Sequence, residues 1–209
     1  MDRRLALALF RLVFAALTVV AIVYQFVQLA DAGTLVPLNF FSFFTIQSNL
    51  IAVAVFLVGA ARRTTEPARG WEVVRGAAVV YMTVTLVVYA LLLSGTNVDT
   101  PTSWVNTVVH QLMPIAVIAD WLIDPPRRQI SFRDSLVWLV YPLAWTAYTL
   151  IRGLIVDWYP YPFLDPANGG YGMVASYVIG ILIFGAVLCW VVATVGTMLG
   201  RRREDAPAT

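Results

Sequence analysis

Six runs of mostly apolar residues, at 5–30, 39–61, 73–94, 104–123, 135–156 and 172–199, dominate the chain. Short breaks rich in Pro, Gly, Asp and Arg separate them. About 20 apolar residues cross a bilayer as a helix, and in lipid each backbone polar group must be satisfied inside its own segment. The pattern therefore predicts an all-α fold, a single polytopic transmembrane bundle of six helices over residues 1–209. Composition agrees: 60% of residues are hydrophobic and 12% charged, whereas a soluble domain carries roughly a quarter charged residues. The first run follows Arg3 and Arg4 and outlasts a signal-peptide core of about 7–15 residues. It is expected to be a retained helix.

Arginine sets the expected orientation. Arg3 and Arg4, then Arg62, Arg63 and Arg69, then Arg127, Arg128 and Arg133, then Arg201, Arg202 and Arg203 fall in alternate breaks. The other three breaks carry Asp31, Asp99, Asp157 and Asp165 and no basic residue. Both termini are therefore expected in the cytoplasm. Trp71, Trp104, Trp121 and Trp158 lie near helix ends, where interfacial Trp belongs. Asp120, near the inner end of the fourth run, is expected to face Arg127 or Arg128.

Residue usage excludes several chemistries. The single Cys189 cannot form a disulfide within the chain, and the single His110 excludes a bis-histidine haem or a histidine cluster. All 14 basic residues are Arg, so a retinal Schiff base is excluded. No metal and no cofactor are expected. The net charge of +2 is uninformative about nucleic acid; with most charges bunched between long apolar runs, the expected partner is a membrane and not nucleic acid. An Arg-only, Ala/Val-rich chain fits a bacterial plasma-membrane protein.

The stretch "FFTIQSN" opens the second run and concentrates Thr45, Gln47, Ser48 and Asn49 in its first third. Thr45 lies six residues inside the outer end, roughly 9 Å deep. His110 lies six residues inside the fourth run from the same side, again roughly 9 Å. Arg152 is five residues from the outer end of the fifth run, roughly 7.5 Å. Three polar groups on three helices thus share one level. Thr45 and Asn49 share a helical face, as do Asn106 and His110. Tyr24, Gln25, Gln28, Tyr89, Tyr148, Ser176 and Tyr177 belong to the same outer layer. The inner half is expected to be poor in polar side chains.

Each group also has a plain structural role open to it. Thr45 could bond back to its own helix, and His110 could join two helices. Arg152 could reach to headgroups. Asn49, Asn106 and Gln47 could act as interhelical glue. The chemical role is a hydroxyl and a base: His110 takes the proton of Thr45, whose alkoxide attacks an ester carbonyl. Asn49, Asn106 or Arg152 could supply donors to the oxyanion, with Gln47, Ser48, Tyr89 and Tyr148 lining the pocket. No Asp or Glu neighbours His110 in sequence, so Asn106 is the candidate to orient its ring.

"FFTIQSN", "NTVVHQLMPIAVIADW" and "YPLAWTAYTLIRG" with "DWYPYPFLDP" resemble the bacterial six-helix branch of the androgen-induced membrane protein family. Animal members are hydrolases of fatty-acid esters of hydroxy fatty acids. The resemblance implies Thr45 as nucleophile and His110 as its partner, with Asn106 in an Asn-x-x-x-His arrangement. Gln111 departs from the small polar residue usual after that histidine in animal members. The expected substrate is a lipid or fatty-acid-like ester reached from the outer leaflet. The loop "DWYPYPFLDPANGGYG" has the Pro and aromatic content of a cap over the pocket. The alternative is a non-enzymatic transporter, or a lipid-binding or sensory protein, using the same polar cup.

Overall fold

The computed structural model describes residues 2–62, 68–95 and 102–204, and every regular element among them is helical. Arg63, Asp99 and the loop residues around them lie outside the described residues. Nine α-helices are described: α1 Arg3–Asp31, α2 Pro37–Ser42, α3 Phe44–Ala61, α4 Arg69–Val88, α5 Ser103–Thr107, α6 Met113–Ile123, α7 Phe132–Ser135, α8 Val140–Val156 and α9 Gly170–Glu204. Six continuous helical stretches are long and apolar enough to cross a membrane. They are α1, α3, α4 with its extension to Leu93, α5–α6, α7–α8 and α9.

Small residues let the first helices approach closely. Ala8, Ala15 and Ala21 of α1 and Ala52 and Ala60 of α3 are buried, as small residues at close helix crossings tend to be. α4 packs on α3 and α6, and α9 packs on α4. A Cβ on Gly76 would sit 2.2 Å from the ring of Trp138, and that indole donates to the Val73 carbonyl at 2.8 Å. Only glycine at 76 admits this tryptophan.

Several of the six stretches are locally irregular, and two of the irregularities have a plain chemical cause. The second expected helix is two helices, broken at Phe43 (φ −65°, ψ 129°). In a membrane such a break survives only where protein groups satisfy the freed backbone. Gln47 Nε2 donates to the Phe41 carbonyl at 2.7 Å and Trp145 Nε1 to the Ser42 carbonyl at 2.9 Å. The fourth stretch has a π-helical turn at Val108–Leu112, just before Pro114. Proline has no N–H and its ring crowds the carbonyl of the residue four earlier, here His110. A wider turn relieves both, and such turns collect at functional sites. α4 also ends in a π-helical turn, Tyr89–Leu93.

The Arg-rich end of the bundle departs from the expectation of a dry inner half. Asp120 does not face Arg127 or Arg128. It pairs with Arg11 at 2.7 Å and Arg75 at 3.2 Å. Arg11 also reaches Asp124 at 2.8 Å and Arg75 reaches Glu72 at 3.0 Å. The Gly59 carbonyl accepts from Arg11 at 3.2 Å, and Glu72 accepts from the Arg127 backbone N–H at 3.2 Å. Arg11 and Arg75 lie inside helices, so loop charges alone did not reveal them as partners. Trp121 is likewise buried beneath Arg75, 5.4 Å from the guanidinium, rather than at an interface.

This network ties α1, α3, α4 and α6 together. Removing one member of a buried ion pair costs roughly 3–5 kcal/mol, because the partner charge stays buried. Asp120→Asn is expected to destabilise the purified protein by about 3 kcal/mol or more, read as a lowered unfolding midpoint. An unchanged midpoint would mean that the cluster does not hold these helices.

Candidate functional site

The break at Phe43 places Thr45 in the first turn of α3. Backbone N–H groups there have no partner within their own helix. The N–H of Thr45 instead donates to the phenol oxygen of Tyr161 at 3.2 Å. The same phenol is 3.2 Å from Thr45 Oγ1. On its other side Thr45 Oγ1 lies 3.2 Å from His110 Nε2. Thr45, His110 and Tyr161 are all buried.

The hydrogen-bond directions follow from one carbonyl. His110 Nδ1 is 3.2 Å from the Asn106 backbone oxygen. A carbonyl only accepts, so Nδ1 carries the proton and Nε2 presents its lone pair. Thr45 then donates to His110. Tyr161, which accepts from the Thr45 N–H, donates to Thr45 Oγ1. A directed chain runs from Tyr161 through Thr45 and His110 to the Asn106 carbonyl. Burial raises the Tyr161 phenol above its ordinary pKa, so it stays protonated and remains a donor.

The two π-helical turns meet here. Tyr89 stacks on the His110 ring, with centroids 4.2 Å apart and planes 21° apart. Asn106 Nδ2 donates to the Tyr89 hydroxyl. Asn106 therefore acts twice, its backbone oxygen orienting His110 and its amide holding the stacked Tyr89.

The other candidates occupy defined places. Asn49 Nδ2 donates to the Thr45 carbonyl at 2.8 Å and the Val109 carbonyl at 2.9 Å. Both amide protons are thus engaged, joining the Thr45 helix to the His110 turn. Ser48 donates to the Thr45 carbonyl at 3.1 Å and lies 3.0 Å from the Thr85 hydroxyl. Gln47 bridges the Phe41 carbonyl and Tyr141, whose hydroxyl donates to Oε1 at 2.6 Å. Tyr148 lies 2.9 Å from Ser42 Oγ. Arg152 donates to Asn39 at 2.6 Å and lies 5.0 Å over the Trp158 ring. Tyr24, Gln28, Ser176 and Tyr177 are on the outside, while Gln25 is buried beside the His110 cavity.

Tyr161 was not singled out from the sequence. It sits in the break between α8 and α9, and nothing in residue spacing places a loop residue against α3. The fold does so by a tight reversal. Asp157 ends α8 in the left-handed region (φ 52°, ψ 42°). A Cβ on Gly153 would lie 2.0 Å from the Tyr159 ring, so glycine is needed where the loop folds back. The loop is pinned by Asp165, which accepts from the Ala167 N–H at 2.8 Å, and by Asn168, which donates to the Pro162 carbonyl at 2.9 Å. Tyr161 stacks on Phe163 at 5.3 Å and meets Phe43 edge-on at 5.7 Å.

Thr45 stands between two spaces. On the His110 side is a cavity of ≈ 20 Å³ shared with Gln25, Phe43 and Tyr161. It adjoins one of ≈ 80 Å³ beneath residues 34–36, through Gln25 and Phe43. On the other side lies an apolar cavity of ≈ 70 Å³. No group of metal-ligating side chains occurs among the described residues. No family model matches the chain, and neither a curated protein nor a solved structure matches it.

Proposed function

We propose that the protein is an integral membrane hydrolase of lipid esters, with Thr45 as nucleophile and His110 as general base. The observation that carries this is the directed contact of Thr45 Oγ1 with His110 Nε2 at 3.2 Å, with the opposite ring nitrogen on a carbonyl. The resemblance of "FFTIQSN" and "NTVVH" to the hydrolase family points the same way and suggests fatty-acid esters of hydroxy fatty acids as the substrate class.

The chemistry follows from the chain of bonds. His110 Nε2 takes the Thr45 hydroxyl proton as Oγ1 bonds to the ester carbonyl carbon. The oxyanion forms beside Oγ1, where the Tyr161 hydroxyl can transfer its donation and the Thr45 N–H lies at the positive end of α3. Collapse breaks the ester C–O bond, and His110 returns the proton to the departing alcohol. Water then gives its proton to His110 and attacks the acyl-threonine. The acid leaves, and Thr45 recovers its proton.

Both termini lie in the cytoplasm in this proposal, because the Arg-rich breaks share one end of the bundle. The site is then in the outer leaflet. A membrane-impermeant maleimide should label Thr34→Cys and spare Arg128→Cys in intact cells. Reversed labelling would move the site to the inner leaflet.

A fluorophosphonate or activated-ester probe tests the chemistry. The expected result is one covalent adduct, on Thr45, located by mass spectrometry. A protein that turns over no ester and takes no adduct on Thr45 would instead be a binding or transport protein.

A further inference from the structure

The apolar cavity beside Thr45 has no part in the proton transfers of the hydrolytic centre. Its walls come from α4, α8, α9 and the loop between α8 and α9. Thr45 and Tyr161 stand at one end. Val80, Leu139 and Gly185 lie toward the Arg-rich end. From Thr146 to Leu139 along the α8 stretch is seven residues, roughly 10 Å of depth below the hydroxyls.

The cavity also reaches the side of the bundle. α9 meets the α7–α8 stretch chiefly at its Arg-rich end, over α7 and the turn Leu136–Leu139. Beyond that turn Pro142 and Thr146 of α8 and Val178 and Ile181 of α9 are only half-buried, yet they line the cavity. The opening therefore faces the hydrocarbon of a bilayer rather than the loops. Tyr141 and Trp145 tie α8 to the bundle, through ring contacts with Phe44 and hydrogen bonds to Gln47 and the Ser42 carbonyl.

We infer that this cavity binds the acyl chain of the ester, admitted sideways between α8 and α9, with the contact of Leu139 on α9 limiting chain length. This deepens, and rests on, the reading of Thr45 as a nucleophile. A hydrocarbon chain fits because the walls are almost wholly apolar and the nucleophilic hydroxyl stands at one end. A carbonyl there meets Thr45 Oγ1 while its chain runs toward Gly185. The alcohol half then falls on the His110 side, where the other two cavities adjoin. Buried methylenes supply the affinity at about 0.8 kcal/mol each, or roughly a factor of four.

Gly185 provides the test, because it lines the cavity where Leu139 packs on α9. Even its Cβ would lie 3.1 Å from Leu139 Cδ2. In the full-length purified protein, Gly185→Phe should lower turnover of p-nitrophenyl palmitate about tenfold, the loss of roughly two buried methylenes. Turnover of p-nitrophenyl acetate should stay within about twofold of wild type. Equal effects on the two esters, or none on either, would overturn the assignment. A second measurement does not need catalysis or this variant. Thr45→Ala protein is irradiated with a palmitate carrying a mid-chain diazirine. Adducts should fall on residues 139–146 and 178–185. Adducts elsewhere alone would overturn the acyl site even in an active hydrolase. Adducts at these positions in a protein that hydrolyses no ester would keep the acyl site and sink the nucleophile instead.

Discussion

Thr45→Ala and His110→Ala are each expected to lower ester hydrolysis by roughly 10⁴-fold or more and to abolish probe labelling. Each variant should remain folded and monodisperse, since neither residue belongs to the ion network that ties the helices. The two act as one unit: without His110 the hydroxyl is a weak nucleophile, and without Thr45 the imidazole has no proton to take. The double variant should therefore be hardly worse than either single. Thr45→Ser keeps the hydroxyl and should retain part of the activity. Wild-type turnover by Thr45→Ala would remove the mechanism outright, leaving the cavities without a nucleophile.

Tyr161→Phe is the second large effect. The ring keeps its packing on Phe43 and Phe163, and only the hydroxyl is lost. That hydroxyl is 3.2 Å from both the Thr45 N–H donor atom and Oγ1. Losing one donor to a developing oxyanion lowers kcat by roughly 10²- to 10³-fold. KM should change little, because the donation strengthens in the transition state rather than in the bound substrate. A merely structural role would lower the unfolding midpoint and leave kcat per folded molecule unchanged. Loss of kcat at a wild-type midpoint is the expected result.

Helical rise is fixed per residue, so position in the sequence sets Thr45 and His110 at one level. Which of their atoms meet is a matter of packing. The pairing arises where two helices are interrupted. The break at Phe43 turns Thr45 into a first-turn residue with an open N–H, and the wide turn before Pro114 lets the Asn106 carbonyl accept from the imidazole. Arg152, at a similar expected depth, bonds to Asn39 and packs on Trp158 instead. Depth is a property of one helix, whereas rotation about its axis depends on its neighbours.

Taken by itself, the sequence determined that the chain is helical and carries six segments long and apolar enough to span a bilayer. That information is local, because apolar length and breaker residues act over about 20 positions. Helix packing in three dimensions brings Arg11 and Arg75 together on Asp120 at the Arg-rich end. It alone brought Tyr161 from a loop onto Thr45, separated by 116 positions. Such contacts are set by how apolar faces and small residues let helices pack, and by a turn at Asp157 that sends the loop back inward. No spacing along one strand of sequence encodes them, since each depends on the summed packing of several helices at once.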